Sequence, residues 1–138
     1  MIEPKSSFPV FTVKNLEIAK AFYIANFGFD VVFSGEWYVH LVSKSGVQIG
    51  FLLPDQPTQP EFFQTQFLGE GVIFSLEVDD ADAAFEVAKS KALNIVLDIR
   101  SEDWGQRHFV IQDPNGIYLD VVQSFEPTEE YQQGYATE

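Results

Sequence analysis

Two histidines, His40 and His108, are the only side chains in these 138 residues that ordinarily titrate near neutral pH, and cysteine is absent. The missing thiols exclude Cys-ligated zinc, thiol nucleophiles, CxxC redox pairs and disulfides. Carboxylates are abundant instead: 21 Asp and Glu stand against 8 Lys and Arg, a net charge of −13. Histidine with carboxylate can serve general acid–base chemistry or ligate a divalent ion, so the question is which of these groups the fold gathers. Local motifs gather none, because GxSxG, GxGxxG and GxxxxGK do not occur. Asp79, Asp80 and Asp82 do cluster, but at a helix start, where capping and the helix dipole account for them.

The same charge balance restricts partners. Phosphate backbones and anionic membrane surfaces are bound by clustered Lys and Arg, so no nucleic acid and no membrane is expected. A cationic or neutral small molecule is easier to accommodate. With 46% hydrophobic and 21% charged residues the composition is that of one globular domain rather than a disordered chain. No apolar run approaches the roughly 18 residues of a membrane span and the N-terminus lacks a signal-peptide pattern, so a cytoplasmic protein is expected.

The elements that must position the two histidines follow from pattern. Residues 8–13 (FPVFTV) read as a strand. Asn15 then caps a helix with Glu17 in its first turn, and Gly28 ends it. Strands follow at 29–33, 37–42 and 47–53. After a linker with Pro54, Pro57 and Pro60 and three phenylalanines, Phe62, Phe63 and Phe67, where a lid or intersubunit packing is expected, the order repeats. There is a strand at 72–78, an Asp80-capped helix at 81–91, and strands at 95–99, 107–112 and 117–123, the last two joined by the Asp113-Pro114-Asn115-Gly116 turn. An offset of 65 takes Asn15 onto Asp80 and one of 70 takes Gly46 onto Gly116 and Ile49 onto Leu119, so each half reads βαβββ. The extra residues are expected in the loop around 102–105. The fold class is therefore α+β: one domain over 1–123, made of module one (6–54), linker (55–69) and module two (70–123), with an acidic tail over 124–138. The tail reads as a disordered end more readily than as an arm that docks through Tyr131 and Tyr135.

The opening FPVFTVKNLEIAKAFYIANFGF, the helix EVDDADAAFEVAKS and the ending RHFVIQDPNGIYLDVVQ resemble the vicinal oxygen chelate superfamily. It includes glyoxalase I, extradiol dioxygenases, fosfomycin-resistance enzymes and bleomycin resistance proteins. The resemblance implies two modules whose sheets curl around a concave cleft. In the metal-dependent members each module supplies one ligand from its first strand and one from its last. Carried onto this chain, those positions are Phe8, Gly50, Ile73 and Asp120. Phe, Gly and Ile side chains have no lone pair to give, so no metal cofactor is expected. A rearranged set of Asp120, Glu77, Gln48 and His40 or His108 is the alternative, and with it a divalent-metal lyase or dioxygenase. Each histidine also reads as a partly buried strand residue bonded to backbone or water.

Without a metal, the closer similarity is to the bleomycin-binding members, which implies a homodimer and a binding protein rather than an enzyme, and suggests antibiotic resistance. Strand parity supplies the lining. Phe8, Val10 and Thr12, Gln48, Gly50 and Leu52, Ser75 and Glu77, and Tyr118, Asp120 and Val122 share the cavity face. Phe11, Val13, Val47, Ile49, Phe51, Phe74, Leu76, Leu119 and Val121 pack under the helices. The expected ligand site is Phe8, Trp37, Tyr38, Gln48, Glu77, Trp104, His108, Tyr118 and Asp120. Asp120 and Glu77 would supply charge to a cationic aromatic ligand, Trp37 and Trp104 stacking surface, and Tyr38, Gln48 and His108 hydrogen bonds. Arg107 is expected to pair with Asp103 or Glu102.

Overall fold

In the computed structural model, which describes residues 1–136, the chain divides between Glu70 and Gly71 into two compact units. The first runs β1 (Val10–Thr12), α1 (Leu16–Phe27), β2 (Asp30–Ser34), β3 (Tyr38–Val42) and β4 (Gln48–Leu52). The second runs β5 (Phe74–Glu77), α2 (Ala81–Ser90), β6 (Asn94–Glu102), β7 (Gln106–Gln112), β8 (Tyr118–Ser124) and a four-residue helix, α3 (Glu129–Gln132). Each unit is a βαβββ module with one open four-stranded sheet, ordered β1-β4-β3-β2 in the first and β5-β8-β7-β6 in the second. In both, the first strand pairs parallel with the last and the remaining pairs are antiparallel.

The predicted caps form. Asn15 Oδ1 accepts from Ile18 N at 3.0 Å and Asp80 Oδ1 from Ala83 N at 3.0 Å, each satisfying a donor that the helix start leaves free. Gly28 stops α1 in the left-handed conformation, φ 67°, which a side chain would strain. Strand parity is met too: Phe11, Val13, Ile49 and Phe51 are buried on one face of the first sheet, and Leu76, Leu119 and Val121 on one face of the second. α1 lies against β3 and β4, and α2 against β6, β7 and β8. Two expectations fail at strand starts. Val47 precedes β4 and is exposed, and Phe74 opens β5 and is only partly buried. β2, the outer edge of its sheet, is exposed along its length and bulges between Val31 and Phe33, which blunts it against further pairing.

Two corrections concern module two. The additional residues of the second repeat do not form a loop around 102–105; they lengthen β6 to nine residues, against five in β2, with register shifts on both sides of Leu97. The tail is ordered rather than disordered as far as residue 136. Phe125 N donates to Gly105 O at 2.8 Å, Thr128 N to Asp103 O at 3.0 Å and Tyr135 Oη to Trp104 O at 2.8 Å, so it is strapped onto the β6–β7 turn of its own chain. Thr137 and Glu138 lie outside the described residues.

Candidate functional site

In module one, β3 and β4 bring three polar side chains into a chain of contacts. Tyr38 and His40 are two apart on β3 and so share a face, and His40 stands opposite Gly50, two residues from Gln48. The Tyr38 hydroxyl lies 2.7 Å from His40 Nδ1, and His40 Nε2 lies 2.8 Å from Gln48 Oε1. With an amide oxygen accepting at Nε2, the ring proton sits there, and Nδ1 is left to accept from Tyr38. Burial raises the Tyr38 pKa, which keeps that proton on the phenol. Phe8 meets the His40 ring edge to face, centroids 4.7 Å apart. The Tyr38 hydroxyl lies over Gly50: a β-carbon at 50 would collide with it and stand 3.0 Å from Tyr38 Cζ and 3.1 Å from Val10 Cγ2.

Beside this relay is a cavity of about 260 Å³ lined by Val10, Thr12, Trp37, Tyr38, Leu52, Gln59 and Phe63. Val10, Thr12 and Leu52 belong to the face that parity assigned to a cavity. Phe63 arrives on a single 3₁₀ turn, Glu61–Phe63, in the proline-rich linker, which is tied to β1 by Phe67 N donating to Thr12 O at 2.9 Å and by the contact of the Phe67 and Phe11 rings. Gln59 sits between Pro57 and Pro60 in the same segment, where no periodicity marks a residue for a site.

Module two gathers charge. His108 Nδ1 lies 2.7 Å from Asp120 Oδ1 and Nε2 2.8 Å from Glu102 Oε2, the oxygen that also takes Arg100 Nε at 2.8 Å. Two ionised carboxylates each need a donor and neutral imidazole has one N–H, so this geometry is that of an imidazolium between two anions. Burial, the largest influence on His108, pulls its pKa down, but the hydrogen bonds and charges of Glu102 and Asp120 outweigh it and leave the pKa raised. Glu102 is lowered, chiefly by the hydrogen bond from His108 and then by that from Arg100. The expected backbone or water partners of both histidines are thus side chains instead.

Other predicted site residues are engaged elsewhere. Glu77 Oε2 accepts from Ser124 Oγ at 2.9 Å, and Tyr118 is exposed at the start of β8. Trp104 donates from Nε1 to Gln106 Oε1 at 2.9 Å, and its ring meets Tyr131 of the tail. Arg107 pairs with neither Asp103 nor Glu102. It forks onto Asp82 at 2.8 and 3.0 Å and donates to Ser101 Oγ at 3.1 Å, because β7 places it opposite Ser101 with the first turn of α2 in reach. Asp82 is lowered, first by that hydrogen bond.

Residues 7–121 match the Glyoxalase family, described as the Glyoxalase/Bleomycin resistance protein/Dioxygenase superfamily. The chain belongs to this superfamily. Solved structures of the same fold include a superfamily member from Sphaerobacter thermophilus, 22% identical, TM-score 0.71, covering 90% of this chain and 100% of that one. A lactoylglutathione lyase from Agrobacterium tumefaciens is 18% identical, TM-score 0.69, with 87% and 94% covered. TioX from a Micromonospora species is 16% identical, TM-score 0.66, with 87% and 100% covered. No curated protein matches the sequence.

The four positions at which metal-dependent members of the glyoxalase superfamily ligate do not fit an ion here. Phe8, Gly50 and Ile73 offer no donor atom, the volume of a side chain at 50 is taken by the Tyr38 hydroxyl, and Asp120 is held by His108. Within the displaced set, Gln48 is bonded to His40 and Glu77 to Ser124. Among the described residues no group of three or more His, Asp or Glu side chains is arranged to hold a metal, and no helix is long and apolar enough to cross a membrane.

Proposed function

We propose that this glyoxalase-superfamily chain is a binding protein that holds a small aromatic molecule, without a metal, in the module-one cavity. The observation that carries the reading is the wall of that cavity: Trp37, Tyr38 and Phe63 with Val10 and Leu52, relieved only by the Thr12 hydroxyl and the Gln59 amide. Ligand pockets are mostly apolar with a few placed polar groups. At about 260 Å³, just under the usual range of roughly 300–1,000 Å³, this one takes a single or fused bicyclic ring system. No carboxylate lines it, and Asp120 and Glu77, which the sequence offered to a cation, are engaged within module two. The ligand is therefore uncharged, and −13 describes the surface rather than the pocket.

The test uses the Trp104→Phe protein, in which Trp37 is the sole tryptophan, titrated with the isosteric pair tert-butylbenzene and phenyltrimethylammonium. A saturable change in Trp37 emission is expected with the neutral compound, weakened by Phe63→Ala. Absence of saturation with either compound would remove the reading. Binding of the cation more than about tenfold tighter, some 1.4 kcal/mol, would overturn the uncharged assignment.

A further inference from the structure

The polarity of the Tyr38–His40–Gln48 relay says more about the ligand than the shape of the cavity does. This step rests on the binding role proposed above for the same cavity. Threonine and glutamine side chains can turn to donate or accept, so Thr12 and Gln59 impose no preference. Tyr38 is different, because its one proton is already assigned. Gln48 Oε1 takes the proton of His40 Nε2, and Nδ1 takes the proton of the Tyr38 hydroxyl at 2.7 Å. The ring cannot turn freely to reverse this, being buried with Phe8 standing edge-on against it. The hydroxyl oxygen lies over Gly50 and beside Val10, itself part of the cavity wall, and its remaining lone pairs can only accept.

We infer that the ligand presents an N–H or O–H donor to the Tyr38 oxygen, so the cavity selects aromatic amines, phenols or indole-like heterocycles over isosteres that carry only an acceptor or no polar atom. An acceptor brought to the same place would face lone pairs, and forcing the tyrosine proton toward it would leave His40 Nδ1 unsatisfied in a buried position. Discrimination of this kind is strong because the penalty for the wrong ligand is an unpaired buried group.

Indole, benzofuran and indene have the same shape and differ in offering a donor, an acceptor or neither. Measured by calorimetry on the full chain, indole is expected to bind about tenfold tighter than the other two, the effect of one satisfied hydrogen bond. In Tyr38→Phe the three affinities are expected to fall within about threefold of one another, while indene binds as in the unaltered protein, which shows that the variant's cavity is intact. Equal affinities in the unaltered protein, tighter binding of benzofuran, or an indole preference that survives Tyr38→Phe would each overturn the inference while leaving a ligand site in place. Failure of all three compounds to bind would remove the binding role itself, and the inference with it.

Discussion

Tyr38 and His108 occupy the same place in the two modules, related by the offset of 70 that also takes Gly50 onto Asp120, and both reach toward that second position. In module one the reach ends on a glycine, and the phenol is held by an uncharged relay beside a cavity. In module two it ends on a carboxylate, and the imidazolium closes a network with Glu102 and Arg100. The segments that follow each sheet diverge in parallel. The proline-rich linker brings Phe63 to the cavity, whereas the tail packs on Trp104 and the β6–β7 turn. One architecture has thus been used once to enclose space and once to neutralise charge, and the difference is decided by whether the last strand carries Gly or Asp at that position.

The sharpest way to break this contrast is to remove each histidine in turn. His108→Leu leaves Asp120, its side chain only 13% exposed, without its counter-charge, and is expected to cost about 3 kcal/mol in denaturant unfolding. His40→Leu removes neutral hydrogen bonds and is expected to cost about 1 kcal/mol. Equal losses would mean that the charged network is no more demanding than the relay. A smaller effect separates the two glycines. Gly105 has φ 104° and its β-carbon would stand 2.6 Å from the Phe125 carbonyl, so Gly105→Ala is expected to cost about 2 kcal/mol and to expose the tail to proteolysis. Gly50→Ala need only push Tyr38 aside, for about 1 kcal/mol, with loss of the indole preference.

The pH dependence sharpens the contrast further. Because the folded pKa of His108 is raised, its contribution to stability is complete below the ordinary histidine value near 6.5 and is lost as pH rises through the folded value. Stability is therefore expected to fall between pH 6 and 9, and the His108→Leu protein to show a flatter profile over that range. Glu102 acts at the other end: its folded pKa is lowered, so its contribution is present above the ordinary glutamate range and disappears as pH falls through the folded value. A slope unchanged by His108→Leu would assign the alkaline loss to other groups. The smallest effect belongs to the strap, where Tyr135→Phe removes one exposed hydrogen bond to Trp104 O and is expected to cost about 0.5 kcal/mol, read as faster proteolysis of the tail.

The sequence made the scaffold legible because its signals are local. Asn15 and Asp80 announce helix starts, Gly28 a helix end, Asp113 to Gly116 a hairpin, and parity separates Phe11 and Ile49 from Thr12 and Gln48. Parts of the site were equally accessible: residues two apart on a strand share a face, which brings Tyr38 to His40, and the antiparallel register brings Gln48 to both. The rest depends on irregularity. Glu102 reaches His108 because β6 shifts register on both sides of Leu97, and no alternation pattern encodes those shifts. Trp104 meets Tyr131 and Tyr135 only after the tail folds back, and Gln59 and Phe63 enter the cavity from a linker whose prolines mark a loop but not its path.

The Tyr38 hydroxyl above Gly50 also bears on how such a chain can change by mutation. Any side chain introduced at 50 must first displace the phenol, so a carboxylate or imidazole cannot be added there in one tolerated step. Removing Tyr38 first would open the place but forfeit the relay, with three donor-poor or occupied positions still standing between the result and a ligand set. Each intermediate is worse than either endpoint, so this strand behaves as a ratchet: once glycine and tyrosine are installed together, drift keeps the module on the organic-ligand side of the divide.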